Sequence, residues 1–112
     1  MSESTASEWL TVPELVELLD VSPGRVRRLI DERHLLARRV DGVLKVPADF
    51  LRDGVPMPEL HGTVMVLHDA GFSDAEALDW LIGEEDSLGT TPIAALRAGR
   101  KAEVRRVAQA LA

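Results

Sequence analysis

The sequence has no cysteine, which removes disulfides, thiolate metal sites and thiol nucleophiles together. It also lacks a long hydrophobic run, so no segment is expected to span a membrane. The opening MSESTASEW has neither a basic flank nor an apolar core. It is not expected to act as a signal peptide, and a cytoplasmic location is the expectation. Neither phosphate-binding glycine pattern, GxxxxGK[ST] or GxGxxG, occurs, and there is no Gly-x-Ser-x-Gly nucleophile elbow. Zinc spacings of the HExxH or His-x-x-x-His kind are missing. His61 and His68 would sit on one helix with roughly 10 Å of rise between them, too far apart to share one ion. The run Glu84-Glu85-Asp86 lacks the alternating ligands and central glycine of a calcium loop. No metal, cofactor or catalytic residue is therefore expected, and the chain is not expected to be an enzyme.

What is present is enough apolar material for a core. With 112 residues, of which 46% are hydrophobic, the chain has room for one domain, or for two small ones. The net charge of −6 argues at face value against a nucleic-acid partner. Its distribution argues the other way. Residues 22–52 carry eight Lys/Arg against four Asp/Glu, residues 53–96 carry nine Asp/Glu and no Lys/Arg, and residues 97–112 carry five basic residues and one acidic. Salt screens charges from one another beyond about 8–10 Å. A phosphate-facing surface thus needs only local positive potential.

The stretch 11–46 predicts a helix-turn-helix followed by a ribbon. Thr11 and Glu14 form a Thr-x-x-Glu capping box with Pro13 in the first turn. Val12, Leu15, Leu18 and Leu19 then recur at helical spacing. Val21-Ser22-Pro23 restarts the pattern with a new cap, so a second helix over 23–33 must cross the first steeply. Val26, Leu29, Ile30 and Arg33 share its inner face. Gly24, Arg28 and Asp31 lie opposite, flanked by Arg25 and Arg27. Arginine can grip guanine O6 and N7 bidentately from such a helix. Gly24 and the Ser22 hydroxyl suit a close phosphate. After His34, read as a partner of the helix C-terminal dipole, the period changes from 3.6 to 2. Runs at 36–40 and 43–46 flank Asp41-Gly42, a strong hairpin signal. Arg38, Arg39 and Lys45 would carry this wing's charge to the backbone or a minor groove. Phe50 and Leu51 are expected to cap the core.

Residues 1–8 read as a disordered tail, in which Thr5 and the serines are candidate phosphate acceptors. Residues 53–58 read as a linker, short enough that the following unit should pack close by. Beyond it come a helix over 59–70 stopped by Gly71, a helix opened by the Ser73–Glu76 capping box and stopped by Gly83, and an acidic loop. Thr91-Pro92 caps a brief helix ended by Gly99. A last helix over 101–111 packs through Val104, Val107, Ala108 and Leu111. Trp80 is expected to anchor these helices. The rival reading makes it a partner contact.

The run LTVPELVELLDVSPGRVRRLIDERHLLARRVDG resembles the winged helix of excisionases and mercury-type regulators. VLHDAGFSDAEALDWLIGEEDSL with TPIAALRAGRKAEVRRVAQALA resembles the C-terminal domain of an actinobacterial DNA-binding family that joins such a winged helix to a small helical domain. The same segment is similar to the toxin-binding domain of certain antitoxins. The resemblance covers roughly residues 9–112. It implies a mainly α fold with a small β wing: a winged helix-turn-helix over 9–52 and a compact helical unit over 59–112 packed against it. It also implies a DNA-binding regulator of transcription whose partner is double-stranded DNA. The antitoxin likeness implies a protein partner for the C-terminal half, and a module of that kind with little DNA binding is the competing expectation. A mycobacterial member is a serine/threonine kinase substrate through its N-terminal tail. A kinase acting on the tail thus joins the expectations, though Thr5 does not align with that site.

Overall fold

A computed structural model describes residues 8–112, so Thr5 and the other candidate acceptors of the tail lie outside the described residues. The chain divides into two compact units, Met1–Met57 and Pro58–Ala112. The first runs β1 (Trp9–Thr11), α1 (Val12–Leu19), α2 (Pro23–Asp31), β2 (Arg38–Val40), β3 (Val43–Pro47), a 3-10 turn at Ala48–Phe50, β4 (Leu51–Arg52) and β5 (Val55–Pro56). The second holds four helices: α3 (Pro58–Asp69), α4 (Asp74–Ile82), α5 (Pro92–Arg97) and α6 (Lys101–Ala110).

The caps that start α1, α2, α4 and α5 are those legible in the sequence. The Thr11 hydroxyl accepts from the Glu14 amide while the Glu14 carboxylate accepts from the Thr11 amide. Asp20 ends α1 in the left-handed conformation, with φ of 57°. Two residues later the Ser22 hydroxyl accepts from the Arg25 amide and opens α2. A cap of this kind is worth about 1 kcal/mol. It fixes where α2 begins and hence which of its residues face out. α2 is shorter than the predicted 23–33: Arg33 has left the helix at φ of 64° and is not part of its inner face. Leu18, expected inside, is 50% exposed. The burden of the α1–α2 contact falls instead on Leu15, Val26 and Leu29, all buried.

Three strands, β1, β4 and β5, were not expected from the sequence. β1 adds to the wing, so the ribbon is a three-stranded antiparallel sheet in the order β1-β3-β2. Trp9 pairs with Pro47 and Thr11 with Lys45 across β1–β3; Arg38 pairs with Lys45 and Arg39 with Leu44 across β2–β3. The segment read as a linker is a second small hairpin, β4–β5, turning at Asp53-Gly54. Both hairpins turn on Asp-Gly with positive φ at each residue, 53° and 81° at Asp41-Gly42 and 54° and 77° at Asp53-Gly54. Tight two-residue hairpin turns need that conformation. Phe50 and Leu51 are buried as expected.

In the second unit Leu60, Val64 and Leu67 of α3, Leu78 and Leu81 of α4, Ile93 and Leu96 of α5, and Val104 and Ala108 of α6 are buried. α3 packs on α4 and α6, and α5 on α4 and α6. Leu111, expected inside, is 44% exposed because α6 ends at Ala110. Trp80 is half-buried and donates its indole N–H to Glu85 at 3.1 Å, which ties α4 to the acidic loop. That loop closes on itself through a bridge between Glu85 and Thr90. Arg105 of α6 lies flat over Gly62 of α3, donating to the Thr63 hydroxyl at 3.2 Å and to the Glu59 carbonyl at 3.1 Å.

Candidate nucleic-acid interface

The exposed side of α2 is built outward from two buried residues. With Val26 and Leu29 turned inward, Gly24, Arg25, Arg27, Arg28 and Asp31 are all exposed. At about 100° per residue, Arg28 points nearly opposite Val26, and Arg25 and Arg27 lie on opposite flanks. The Arg27 flank is the one that faces the wing, because Arg27, Ile30 and Asp31 line one depression together with Leu44 of β3. Ser22 serves first as a cap, its oxygen accepting from the Arg25 amide at 3.1 Å. Its hydroxyl proton still has a free direction. Gly24 sits in the first turn, where an added Cβ would meet only the Ser22 hydroxyl at 3.9 Å. A bare backbone is thus permitted there but not required by packing.

The three wing cations do not act as one cluster. Directly paired residues of an antiparallel sheet share a face, and neighbours along a strand alternate. Arg39, paired with Leu44, therefore lies on the face that carries buried Val46. Arg38 and Lys45, paired with each other, lie on the opposite face with Thr11 and Trp9. The Arg38 guanidinium stands 5.5 Å from the centroid of the Trp9 ring. Lys45 is near Glu14, whose carboxyl is held below its usual range mainly by the Thr11 amide, then by the Thr11 hydroxyl and weakly by Lys45, with burial acting in the other direction.

Arg39 and Arg27 are brought together. Both line an open cleft of about 300 Å³ whose other walls are Val12 and Pro13 of α1 and Gly42, Val43 and Leu44 of the wing. Arg39 is held there by its own turn, its Nη1 donating to the Gly42 carbonyl at 3.2 Å. The sequence reading named both arginines but assigned them to separate tasks. The signal that joins them is the face alternation of β2 combined with the flank position of Arg27. Elsewhere among the described residues, no group of three or more His, Asp or Glu side chains converges as a metal site would need. Among the same residues, no helix is long and apolar enough to cross a membrane.

A capped helix pair with a tight turn, followed by a hairpin wing that carries cations on both faces, defines a winged helix-turn-helix protein, here with a helical unit appended. The family model described as the winged helix-turn-helix domain of DNA-binding protein Rv2175c matches residues 4–51, and the model of the Rv2175c C-terminal domain of unknown function matches residues 57–112. The chain belongs to this Rv2175c family. It is 35% identical over 114 residues to DNA-binding protein Rv2175c of Mycobacterium tuberculosis, covering 90% of this chain and 78% of that protein. A solution NMR structure of Rv2175c matches the fold with a TM-score of 0.86 at 31% identity, over 98% of this chain and 84% of the other. An excisionase of Streptomyces ambofaciens is 44% identical over 46 residues, which are 41% of this chain and 74% of the excisionase.

Proposed function

We propose that this chain binds double-stranded DNA through α2 and the β2–β3 wing, and regulates transcription from the sites it occupies. The observation that carries the reading is the face of α2. Arg25, Arg27 and Arg28 are exposed on the second helix of a helix-turn-helix, where an inserted helix meets base edges. The relatives named as a DNA-binding protein and an excisionase support the same reading. Arg28, the most outward, reads bases in the major groove with Arg25 beside it. Ser22 and Gly24 approach a phosphate at the start of α2. Arg38, Arg39 and Lys45 of the wing serve the backbone or the minor groove. The acidic charge of residues 53–96 limits which face a duplex can approach. A mobility-shift titration at low salt tests the reading, and failure to shift any duplex refutes it.

A second reading gives the C-terminal half a protein partner. It is favoured by exposed Asp74, Glu76, Asp79, Glu84 and Asp86 on one helix and the loop after it, a surface suited to a basic partner. The two roles are compatible in one regulator. A partner bound by the full chain and lost on neutralising Asp79, Glu84 and Asp86, in a protein that binds no DNA, would favour the docking role alone. The same proposal assigns the chain to the cytoplasm, gives it no catalytic role, and leaves the tail as the place for a kinase to act.

A further inference from the structure

We infer that Arg27 and Arg39 form a two-armed clamp for a single DNA phosphate, so that Arg27 positions the duplex and does not read bases. This rests on the DNA-binding reading above and assigns one subsite within it. The two guanidiniums reach the same cleft from different elements, Arg27 from the wing-facing flank of α2 and Arg39 from the core face of β2. Among the described residues, no carboxylate lines that cleft. Asp31 lies on the next stretch of wall, yet among the described residues no acid pairs with Arg27. Two like charges thus face one space, an excess of positive charge that one anion relieves.

The identity of the anion follows from where the cleft lies. When a recognition helix enters the major groove and a wing reaches toward the minor groove, the sugar-phosphate strand that separates the two grooves must pass beneath the gap between helix and wing. That gap is this cleft. Its remaining walls, Val12, Pro13, Val43 and Leu44, are apolar. Their side chains offer an anion no competing hydrogen-bond partner, which leaves the two guanidiniums as its charged donors. Arg39 spends one of its five N–H donors on the Gly42 carbonyl at 3.2 Å, which leaves four for an anion. Gly42 is on this account a positioning residue: its left-handed turn aims the carbonyl that aims Arg39. Arg28, a further 100° round α2, is clear of the cleft and remains the base reader.

The test measures binding of the full-length protein to a mixed-sequence duplex, and to a duplex enriched by selection, by fluorescence anisotropy over a salt series. The variants are Arg27→Ala, Arg39→Ala and the double variant, each checked for unchanged circular dichroism. Because one phosphate is shared, the two losses should not add. The double variant should bind within about twofold of the weaker single variant, and its log–log salt slope should fall by about 0.9. Arg27→Ala should weaken both duplexes by the same factor. Losses that multiply, with a slope lower by about 1.8, would mean two independent contacts and overturn the clamp. Unequal losses on the two duplexes would make Arg27 a base reader and overturn it as well. If the unaltered protein binds neither duplex at low salt, the DNA-binding reading itself falls. Binding with additive losses removes only the clamp.

Discussion

Replacing Gly62 by alanine sets two opposing effects against each other inside the C-terminal unit. Gly62 is in the interior of α3, where alanine is favoured over glycine by about 0.8–1.0 kcal/mol. On that count alone the substitution stabilises. A Cβ built at this position, however, would lie 2.5 Å from Nη2 and 3.0 Å from Cζ of Arg105. The guanidinium is the flexible end of a long side chain and can move. Moving it breaks the bonds to the Thr63 hydroxyl and the Glu59 carbonyl. Thr63 is fully buried, and its own hydroxyl already donates to the Glu59 carbonyl at 2.9 Å, so it loses a partner but is not left bare. Hydrogen bonds to a charged group contribute about 1.5–3 kcal/mol each when well sheltered. Arg105 is only half-buried, so the pair together is placed at about 2–3 kcal/mol. The net effect of Gly62→Ala is then a loss of about 1–2 kcal/mol, seen as a lower urea midpoint at unchanged slope. The background decides the sign. In Arg105→Ala protein the obstacle and the bonds are both gone, and Gly62→Ala should stabilise by close to 1 kcal/mol. If Gly62→Ala stabilises equally in both backgrounds, Arg105 does not hold α6 to α3 as described.

Four further outcomes are expected. Arg28→Ala should relax sequence preference at one base pair by about 1–3 kcal/mol, read from competition between duplexes that differ at that pair. Lys45→Ala should weaken all sequences alike and lower the salt slope by about one unit, which an anisotropy series measures. The Glu14 and Glu76 carboxyls are each held below the ordinary value of 4.5, first by a backbone amide and then by a hydroxyl of their capping boxes. Their contribution is complete above that value and is lost as pH falls through the lower folded values. Glu14→Gln and Glu76→Gln should therefore flatten the fall in urea midpoint between about pH 6 and pH 3. Gly42→Ala meets no atom within 4 Å but must adopt φ near 81°. A loss of about 1–2 kcal/mol by thermal melting is expected from the backbone alone.

The features legible in the sequence are those whose causes lie within a few residues. The boxes at Thr11 and Ser73, the caps at Ser22 and Thr91, and the stops at Gly71 and Gly99 each depend on a donor and acceptor within one turn. The turn at Asp41-Gly42 is similarly local. β1 was not legible because three residues cannot show a period, and what makes Trp9–Thr11 a strand is its pairing with distant β3. The β4–β5 hairpin was open to detection, since Asp53-Gly54 repeats the dipeptide of the wing. Its arms are only two residues long and one ends in Pro56, so composition pointed to a linker. Leu18 shows the limit of periodicity in an eight-residue helix: one buried leucine, Leu15, suffices to seat α1. At the candidate interface, residue types and their helix and wing were readable. The division of the wing's cations between two faces was not, because it depends on the register of β2 against β3.

Thr11 ends β1, pairs with Lys45 of the central strand and caps α1. One residue thereby ties the wing directly to the first helix of the helix-turn-helix. A ligand that engages both must accept them at the spacing this residue sets. Association on such a body is expected to be governed by diffusion and by the field of the arginines. The duplex, as the more pliable partner, would supply any bending the contact demands. Sequences that bend cheaply would then be preferred at base pairs that no side chain touches.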